Sequence, residues 1–277
     1  MRPSLVSVFT GFRFHTSYSA ARRFVSPFAD PLPARLNSPP MTTHETKRAA
    51  LWDVDGTLVD SREYHWLSWR GALEAEGFRV TPEQFADSFG RRNDEILRGY
   101  FPAYSSEEIT RVGEAKEVAY RRLVRERGIE LLPGVRRWLE RLRAEGWQQA
   151  VASSAPRANL EVIVEALGLE GYFAAVASAE DVTEGKPNPQ VFLVAAAKLG
   201  VEPGACVVVE DAPAGTEAAR RAGMRCVGVL SSHTELDADI VVRTLDELPD
   251  TAFDDLLKEA EALPHGRASA SGSKITL

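Results

Sequence analysis

Short apolar runs alternate with helical patterns along most of the chain, and each run ends at a polar residue. The runs are continuous rather than alternating in polarity, which is typical of parallel strands covered on both faces. They lie at residues 49–52, 150–152, 173–177, 206–209 and 226–230. The helical patterns between them begin near Pro133, Pro156, Asn188 and Ala214. Strand and helix in steady alternation predict an α/β fold with a doubly wound, Rossmann-like parallel sheet.

The alternation is interrupted once, after the first run. Residues 62–132 contain no convincing strand but carry helix-start signals, such as Thr81-Pro82 with Gln84 and Ser105 with Glu108. A helical insertion of this length is expected to form a small second domain. We therefore predict an all-α cap over residues 62–132, inserted into a core formed by residues 47–61 and 133–262.

The two ends of the chain differ from its middle. Residues 1–40 hold five Arg, no Lys and a single acidic residue, Asp30. This composition is typical of an organelle transit peptide, but it also fits an upstream start codon with Met41 as the true start, or a genuine tail. Residues 1–46 are therefore set aside as a disordered extension or targeting segment. Residues 263–277, with their Ala-Ser-Ala-Ser-Gly-Ser stretch, are expected to form a flexible tail.

Composition excludes several classes of function. Hydrophobic residues make up 44% of the chain, enough for a sizeable core. The net charge of −7 argues against nucleic acid as a partner, and no apolar run of about 18 residues predicts a membrane span. The two cysteines, Cys206 and Cys226, sit in apolar runs, which indicates a reducing compartment such as the cytoplasm. Organelle import applies if residues 1–40 are a transit peptide, and no signal indicates an oligomeric state.

Polar residues close the predicted strands or lie in a loop facing their ends. They are Asp53 and Asp55 after the first run, Ser153 after the second, Glu210 and Asp211 after the fourth, and Lys186 in a loop that precedes a helix. The carboxyl ends of parallel strands meet at one edge of a sheet, where ligands bind in open α/β folds. These side chains are therefore expected to converge.

This set of residues predicts a metal-assisted phosphoryl site. Two unit charges about 4 Å apart repel by on the order of 4 kcal/mol at an effective dielectric of 20, and a divalent cation would relieve the repulsion among four carboxylates. Because every candidate ligand is an oxygen, Mg²⁺ is favoured over zinc. Lys186 and Ser153 add positive charge and a donor, which suits a small phosphorylated metabolite.

Asp53 and Asp55 have the spacing for a two-step reaction. Residues i and i+2 of a strand point the same way, so both can address one substrate. One carboxylate can attack phosphorus to form an aspartyl-phosphate, and the other can protonate the leaving oxygen and then activate water. Each motif alone is often a turn, a helix cap or a surface loop. Four of them in order at predicted strand ends favour the functional interpretation.

The stretch from Asp53 to Ser61 resembles the first motif of the haloacid dehalogenase superfamily. Ser153, Lys186 and the pair Glu210-Asp211 are similar to its second, third and fourth motifs, and the inserted helices resemble the superfamily's cap. The closest similarity is to the β-phosphoglucomutase-like phosphatases. The resemblance implies a Mg²⁺-dependent phosphotransferase with Asp53 as nucleophile, Asp55 as acid/base and Ser153 and Lys186 at the phosphate. It implies metal ligation by Asp53, the Asp55 carbonyl, Glu210 and Asp211.

The second aspartate of the first motif also separates branches of the superfamily. Relatives that cleave carbon–halogen or carbon–phosphorus bonds lack an acid/base at the position of Asp55. Its presence here favours phosphate esters as substrates.

The cap carries the features that separate hydrolysis from mutase chemistry. His65 and Lys116 match residues that take part in cap closure and substrate contact in the mutase, although His65 could be a packed hinge residue and Lys116 a solvated one. Arg91 and Arg92 precede Asn93, which stands where the mutase places an arginine for a second phosphate.

These departures favour a phosphate ester hydrolase. Ala155 also stands where the mutase carries a serine, so two anchors for a bisphosphorylated intermediate are replaced. A β-phosphoglucomutase-type mutase and a non-catalytic binding protein on the same fold stay open as alternatives.

Overall fold

The computed structural model describes residues 47–88, 91–262 and 275–276, and gives side chains up to residue 259. The predicted extension over residues 1–46 and residues 263–274 and 277 of the predicted tail lie outside this range. None of the described helices combines the length and the apolar character that crossing a membrane requires.

A parallel sheet forms the centre of the core. Its strands are β1 (Ala49–Trp52), β2 (Gln148–Ala152), β3 (Ala175–Ala177), β4 (Cys206–Glu210), β5 (Arg225–Val229) and β6 (Ile240–Val242), in the order β3-β2-β1-β4-β5-β6. A two-residue strand, β7 (Ile275–Thr276), pairs with β6. The core helices are α5 (Val135–Ala144), α6 (Arg157–Leu167), α7 (Gln190–Leu199), α8 (Pro213–Arg221) and α9 (Ala252–Ala262).

The central strand β1 is covered on both faces, as its continuous apolar sequence predicts. It pairs with β2 on one side and β4 on the other, with Leu51 opposite Ala150 and Val208. Successive side chains of a strand point to opposite faces. Trp52 accordingly packs in one apolar cluster and Leu51 in another. The doubly wound α/β fold is confirmed.

Four helices separate β1 from the rest of the core. They are α1 (Arg62–Ala75), α2 (Pro82–Ser88), α3 (Asn93–Tyr100) and α4 (Ser106–Arg127). Ser105 and Glu108 form the predicted capping box at the start of α4. The helices share an apolar cluster of their own, which includes Trp69, Phe85 and Leu97. An all-α cap is thus inserted into the core.

The chain enters and leaves these helices at adjacent points. Helix α1 begins at Arg62, shortly after Val59, and Val59 forms an isolated antiparallel bridge with Leu131. The amide of Leu132 also donates a hydrogen bond of 2.9 Å to the carbonyl of Leu58. We infer from this crossing point that residues 62–132 form the cap.

Three elements near the end of the chain extend the predicted fold. Strand β6 is only three residues long and helix α9 follows a short polar loop, and the sequence analysis predicted neither. Strand β7 lies within the stretch that was predicted to be a flexible tail, so its two residues differ from that expectation. Strands β6 and β7 lie beyond β5, whereas α9 packs on one face of the sheet, where the ring of Phe253 lies 6.3 Å from that of Trp52.

Candidate active site

Three of the four predicted carboxylates meet where β1 and β4 end. Asp53 follows β1, Glu210 is the last residue of β4 and Asp211 comes next. One carboxylate oxygen from each lies within 4.8 Å of the others, and all three side chains are buried. The fourth carboxylate, that of Asp55, is not part of this group and instead contacts residues of the hinge and the cap.

Lys186 bridges two of the three carboxylates, Asp53 and Glu210. Its Nζ donates hydrogen bonds of 2.6 Å to Asp53 Oδ1 and 2.7 Å to Glu210 Oε1. Burial works against the charge of the ammonium group, but the two carboxylates outweigh it and raise the pKa of Lys186. The other oxygen of Glu210 accepts from the amides of Asp211 and Ala212, both at 2.7 Å. Glu210 is therefore held by three donors and fixes Lys186 beside Asp53.

The cluster carries more negative charge than Lys186 can balance. Burial raises the pKa of Asp53 well above its ordinary value, and Glu210 and Asp211 raise it further against the opposing effect of Lys186. Burial and Glu210 likewise raise the pKa of Asp211 to about 7. Three buried carboxylates beside one ammonium, all offering oxygen atoms, form a set that fits a hard divalent cation such as Mg²⁺.

Asp55 faces the cap. Its Oδ1 accepts hydrogen bonds from Ser61 Oγ at 2.5 Å and Tyr120 OH at 3.4 Å, and it lies 3.0 Å from His65 Nε2. Burial opposes ionisation of this carboxyl group, but the contacts with His65 and Ser61 and the charge of Lys116 together lower its pKa to about 2. Asp53 and Asp55 are two residues apart, yet their environments move their pKa values in opposite directions. Such a separation is typical of paired carboxylates with different chemical roles.

Lys116 is buried in the cap rather than exposed on a helix face. Its side chain is 2% exposed, and its Nζ lies 3.0 Å from His65 Nδ1 and donates to Glu117 Oε1 at 2.8 Å. A lysine ammonium only donates, so Nδ1 of His65 accepts and Nε2 carries the hydrogen that points at Asp55. Helices α1 and α4 thus act together on the carboxyl group of Asp55.

The three cap residues at the start of α3 lie in different places. Arg91 lines the cavity at its open side and is 3.6 Å from Glu95. The amide of Asn93 donates to Glu117 Oε1 at 2.6 Å. The guanidinium of Arg92 donates to the core carbonyls of Ala179 and Val182, at 3.3 and 3.4 Å, and Arg92 is absent from the cavity wall. Arg92, expected to face the site, instead joins the cap to the core because these carbonyls accept its donors.

A cavity of about 100 Å³ lies between the cap and the strand ends. The core contributes Asp53, Asp55, Ser153, Lys186 and Asp211, and the cap contributes His65, Trp69, Phe85, Ile96 and Lys116. The cavity therefore has a charged floor and a partly apolar roof. Such a shape suits an anionic group at one end of a small ligand.

Sequence reasoning did not single out three residues around the cavity: Ser61, Glu117 and Tyr120. Helix α4 carries a signal for two of them. Lys116 and Tyr120 are four residues apart, as are Glu117 and Arg121, so two rows of polar side chains run along neighbouring lines of the helix. Two such rows beside buried apolar positions indicate that the polar side chains contact other parts of the protein.

The fold agrees with comparisons to known proteins. A family model described as haloacid dehalogenase-like hydrolase matches residues 50–229. The chain is 34% identical over 217 residues to the β-phosphoglucomutase of Bacillus subtilis, covering 73% of this chain and 91% of that protein. It is 31% identical over 215 residues to hexitol phosphatase B of Escherichia coli, covering 75% and 97%. The crystal structure of β-phosphoglucomutase from Clostridium difficile superposes with a TM-score of 0.69 at 26% identity, covering 79% and 100%.

The chain therefore belongs to the haloacid dehalogenase-like hydrolase family. Within that family it is an enzyme of the β-phosphoglucomutase-like group of phosphatases.

Proposed function

We propose that the protein hydrolyses a small phosphate monoester, such as a sugar phosphate, through an aspartyl-phosphate on Asp53 and with Mg²⁺. The observation that carries this proposal is the pairing of Asp53, fixed by Lys186 at 2.6 Å, with a second carboxylate, Asp55, in a separate hydrogen-bonded environment. In this arrangement Asp53 serves as the nucleophile and Asp55 as the general acid and base.

In the first half-reaction Asp53 attacks the phosphorus. Lys186 engages Oδ1 of Asp53, which leaves Oδ2 to form the new O–P bond. The ester O–P bond breaks and the leaving oxygen takes a proton from Asp55. A phosphate dianion entering the cavity raises the pKa of a neighbouring carboxyl group, so substrate binding favours the protonated acid that this step needs.

In the second half-reaction Asp55 acts as a base. It takes a proton from water, the water oxygen attacks the phosphorus, and the bond to Asp53 breaks to release inorganic phosphate. The low pKa of Asp55 in the free protein, about 2, keeps it ionised and ready to accept that proton. His65 and Lys116 stabilise this ionised form from the cap.

The phosphoryl group and the metal have separate binding sets in this proposal. Ser153 and Lys186 hold the phosphate oxygens. Asp53, Glu210, Asp211 and the main-chain carbonyl of Asp55 would hold Mg²⁺, which when bound would neutralise part of the charge on the phosphoryl oxygens. Three buried carboxylate oxygens within 4.8 Å of one another support this assignment.

The nature of the relatives supports a phosphorylated sugar or sugar alcohol as substrate. One relative is named a hexitol phosphatase, and another is named a phosphatase of validoxylamine A 7'-phosphate. We further propose a cytoplasmic location, since the free cysteines Cys206 and Cys226 are both buried and unlinked.

Mutase chemistry is the second candidate. It is favoured by the similarity to the Bacillus subtilis β-phosphoglucomutase and by the contact of His65 and Lys116 at 3.0 Å. Hydrolysis ranks first because Asn93 contacts Glu117 and offers no charge to a second phosphate.

The experiment is a screen of phosphorylated metabolites that follows phosphate release, with Mg²⁺ and with chelator. Release from one or a few sugar phosphates is expected with Mg²⁺ and not after chelation. The Asp53→Asn variant is the control, because it removes the nucleophile with little change in shape. No release from any ester, or equal release by Asp53→Asn, would overturn the proposal.

A further inference from the structure

Glu117 is a carboxylate buried where the cap meets the core. It lies on α4 and is 5% exposed. Burial opposes its ionisation, but the nearby Lys116 and His65 and hydrogen bonds from Lys116 and Asn93 lower its pKa. A buried carboxylate is stable only where donors surround it. The positions of those donors in the cap and the core therefore indicate the role of Glu117.

One donor to Glu117 comes from the core rather than the cap. Oε1 accepts from Lys116 and Asn93 within the cap, whereas Oε2 accepts from Asn159 Nδ2 at 2.5 Å. Asn159 lies on α6 of the core, where its side chain is 1% exposed. The bond therefore crosses from one domain to the other.

The cap forms hydrogen bonds with both the nitrogen and the oxygen of the Asn159 side-chain amide. While Nδ2 donates to Glu117, Oδ1 accepts from Arg121 Nη1 at 2.9 Å. Glu117 and Arg121 are one helical turn apart on α4, so their side chains reach the same spot on α6. Only an amide offers a donor and an acceptor in this arrangement. The contact thus attaches α4 to α6 and also fixes its position along α6.

The same helix turn carries Lys116 to the acid/base. Lys116 lies between Glu117 at 2.8 Å and His65 at 3.0 Å, and His65 lies 3.0 Å from Asp55. The chain of contacts leaves the core at Asn159, passes through the cap and returns to the core at Asp55. A shift of α4 on α6 would therefore change the surroundings of Asp55.

We propose that Asn159 is a positioning residue, which latches the cap to the core through Glu117 and Arg121 and so places Lys116 and His65 against Asp55. The proposal rests on the proposed function for its kinetic consequence only. The latch itself is a property of the folded protein and can be measured without a substrate.

The test compares amide hydrogen exchange and kinetics in Asn159→Asp and Arg121→Gln. Asn159→Asp keeps the shape but sets a carboxylate against Glu117, and Arg121→Gln removes the guanidinium. In both variants, amide hydrogen exchange in α4 is expected to become about tenfold faster or more, and kcat/KM is expected to fall about tenfold or more. Exchange in β1 and β4 should stay unchanged, whereas a general loss of stability would raise it there too. Arg122→Gln, on the exposed neighbouring position, is the control that changes neither quantity.

A rescue variant separates the latch from simple damage. In E117Q/N159D the carboxylate moves to the core side and the amide to the cap side, so one hydrogen bond between the domains is restored. Slow exchange in α4 should return. The proposal is overturned if Asn159→Asp and Arg121→Gln leave α4 exchange at the wild-type rate, or if exchange rises equally in α4, β1 and β4. If the wild type hydrolyses no ester, the proposed function fails while exchange still decides the latch.

Discussion

Gly56 shows how tightly the first turn fits against the carboxylate cluster of Asp53, Glu210 and Asp211. Its φ of +89° lies in the left-handed region, and a Cβ added there would stand 2.0 Å from Asp211 Oδ2. Two separate constraints, backbone conformation and space, therefore fall on one residue. Only the lack of space for a Cβ affects the candidate site, because the atom that it would displace belongs to Asp211.

Replacing Gly56 with alanine should consequently abolish turnover. Gly77 offers a matched control, since its φ is +76° but nothing lies within 4 Å of a Cβ there. Both variants should lose roughly 1–2 kcal/mol of stability from the left-handed backbone. Activity should disappear only in Gly56→Ala, as measured by phosphate release at a temperature where both variants are folded. Equal activity in the two variants would contradict the tight fit.

Asp53 and Asp55 differ in the loss expected from an amide replacement. Asp53→Asn should leave no measurable turnover because the nucleophile is gone. Asp55→Asn should lower kcat by at least roughly 10²-fold, the usual contribution of general acid–base catalysis. Asp60→Asn is the control, since Asp60 is exposed and its Oδ1 accepts a hydrogen bond from the backbone amide of Arg62 at 3.3 Å. Near wild-type turnover in Asp55→Asn would remove it from the mechanism.

At the scale of single elements, helix α4 combines a structural and a chemical face. Its apolar residues pack in the cap and core clusters. Among its polar residues, Tyr120 contacts Asp55, Lys116 contacts His65, and Glu117 and Arg121 contact Asn159 of α6. Because Glu117 of α4 accepts the hydrogen bond from Asn159, its protonation at low pH is expected to weaken the contact between the cap and the core.

The stability contributed by Glu117 should depend on pH. Because its pKa in the folded protein is lower than its ordinary value of 4.5, the contribution is complete above that value and is lost as the pH falls through the folded pKa. Thermal melts of the wild type and Glu117→Gln should differ most at neutral pH and converge as the pH falls below the folded pKa of Glu117. Glu114→Gln, at an exposed position of the same helix, should follow the wild type throughout. A constant difference between wild type and Glu117→Gln would contradict the lowered pKa.

The elements that sequence reasoning predicted are those with strong local signals. Strands such as Cys206–Glu210 are continuous apolar runs, and helix α4 begins with a capping box. Strand Ile240–Val242 is too short for a pattern to stand out. The strand-end residues of the candidate site follow from topology alone. The contact of Glu117 with Asn159 could not be predicted because it depends on how two distant helices dock.

At the scale of the whole molecule, the cavity between the cap and the strand ends is expected to decide which acceptor reaches the proposed aspartyl-phosphate. Closure of a cap excludes solvent and orients the second reactant. A mutase must hold a bisphosphate by both ends, and an arginine grips phosphate through two parallel donors whereas an asparagine cannot. Here the amide of Asn93 is already engaged by Glu117.

With glucose 1-phosphate and a catalytic amount of the bisphosphate, we therefore expect free phosphate or no reaction, and no glucose 6-phosphate. The measurement is product analysis by NMR over time, with the Asp53→Asn variant as the blank. Rapid accumulation of glucose 6-phosphate would reverse the ranking of hydrolysis over mutase chemistry.

The crossing between core and cap has a consequence for how the protein can be remodelled. The bridge of Val59 with Leu131 and the bond from Leu132 to Leu58 bring the two ends of the insertion together. Insertions whose ends are close in space are the kind that folded domains tolerate. We therefore expect the cap to be replaceable as a unit. A different cap grafted between these two points should change the substrate while the strand-end residues keep their positions.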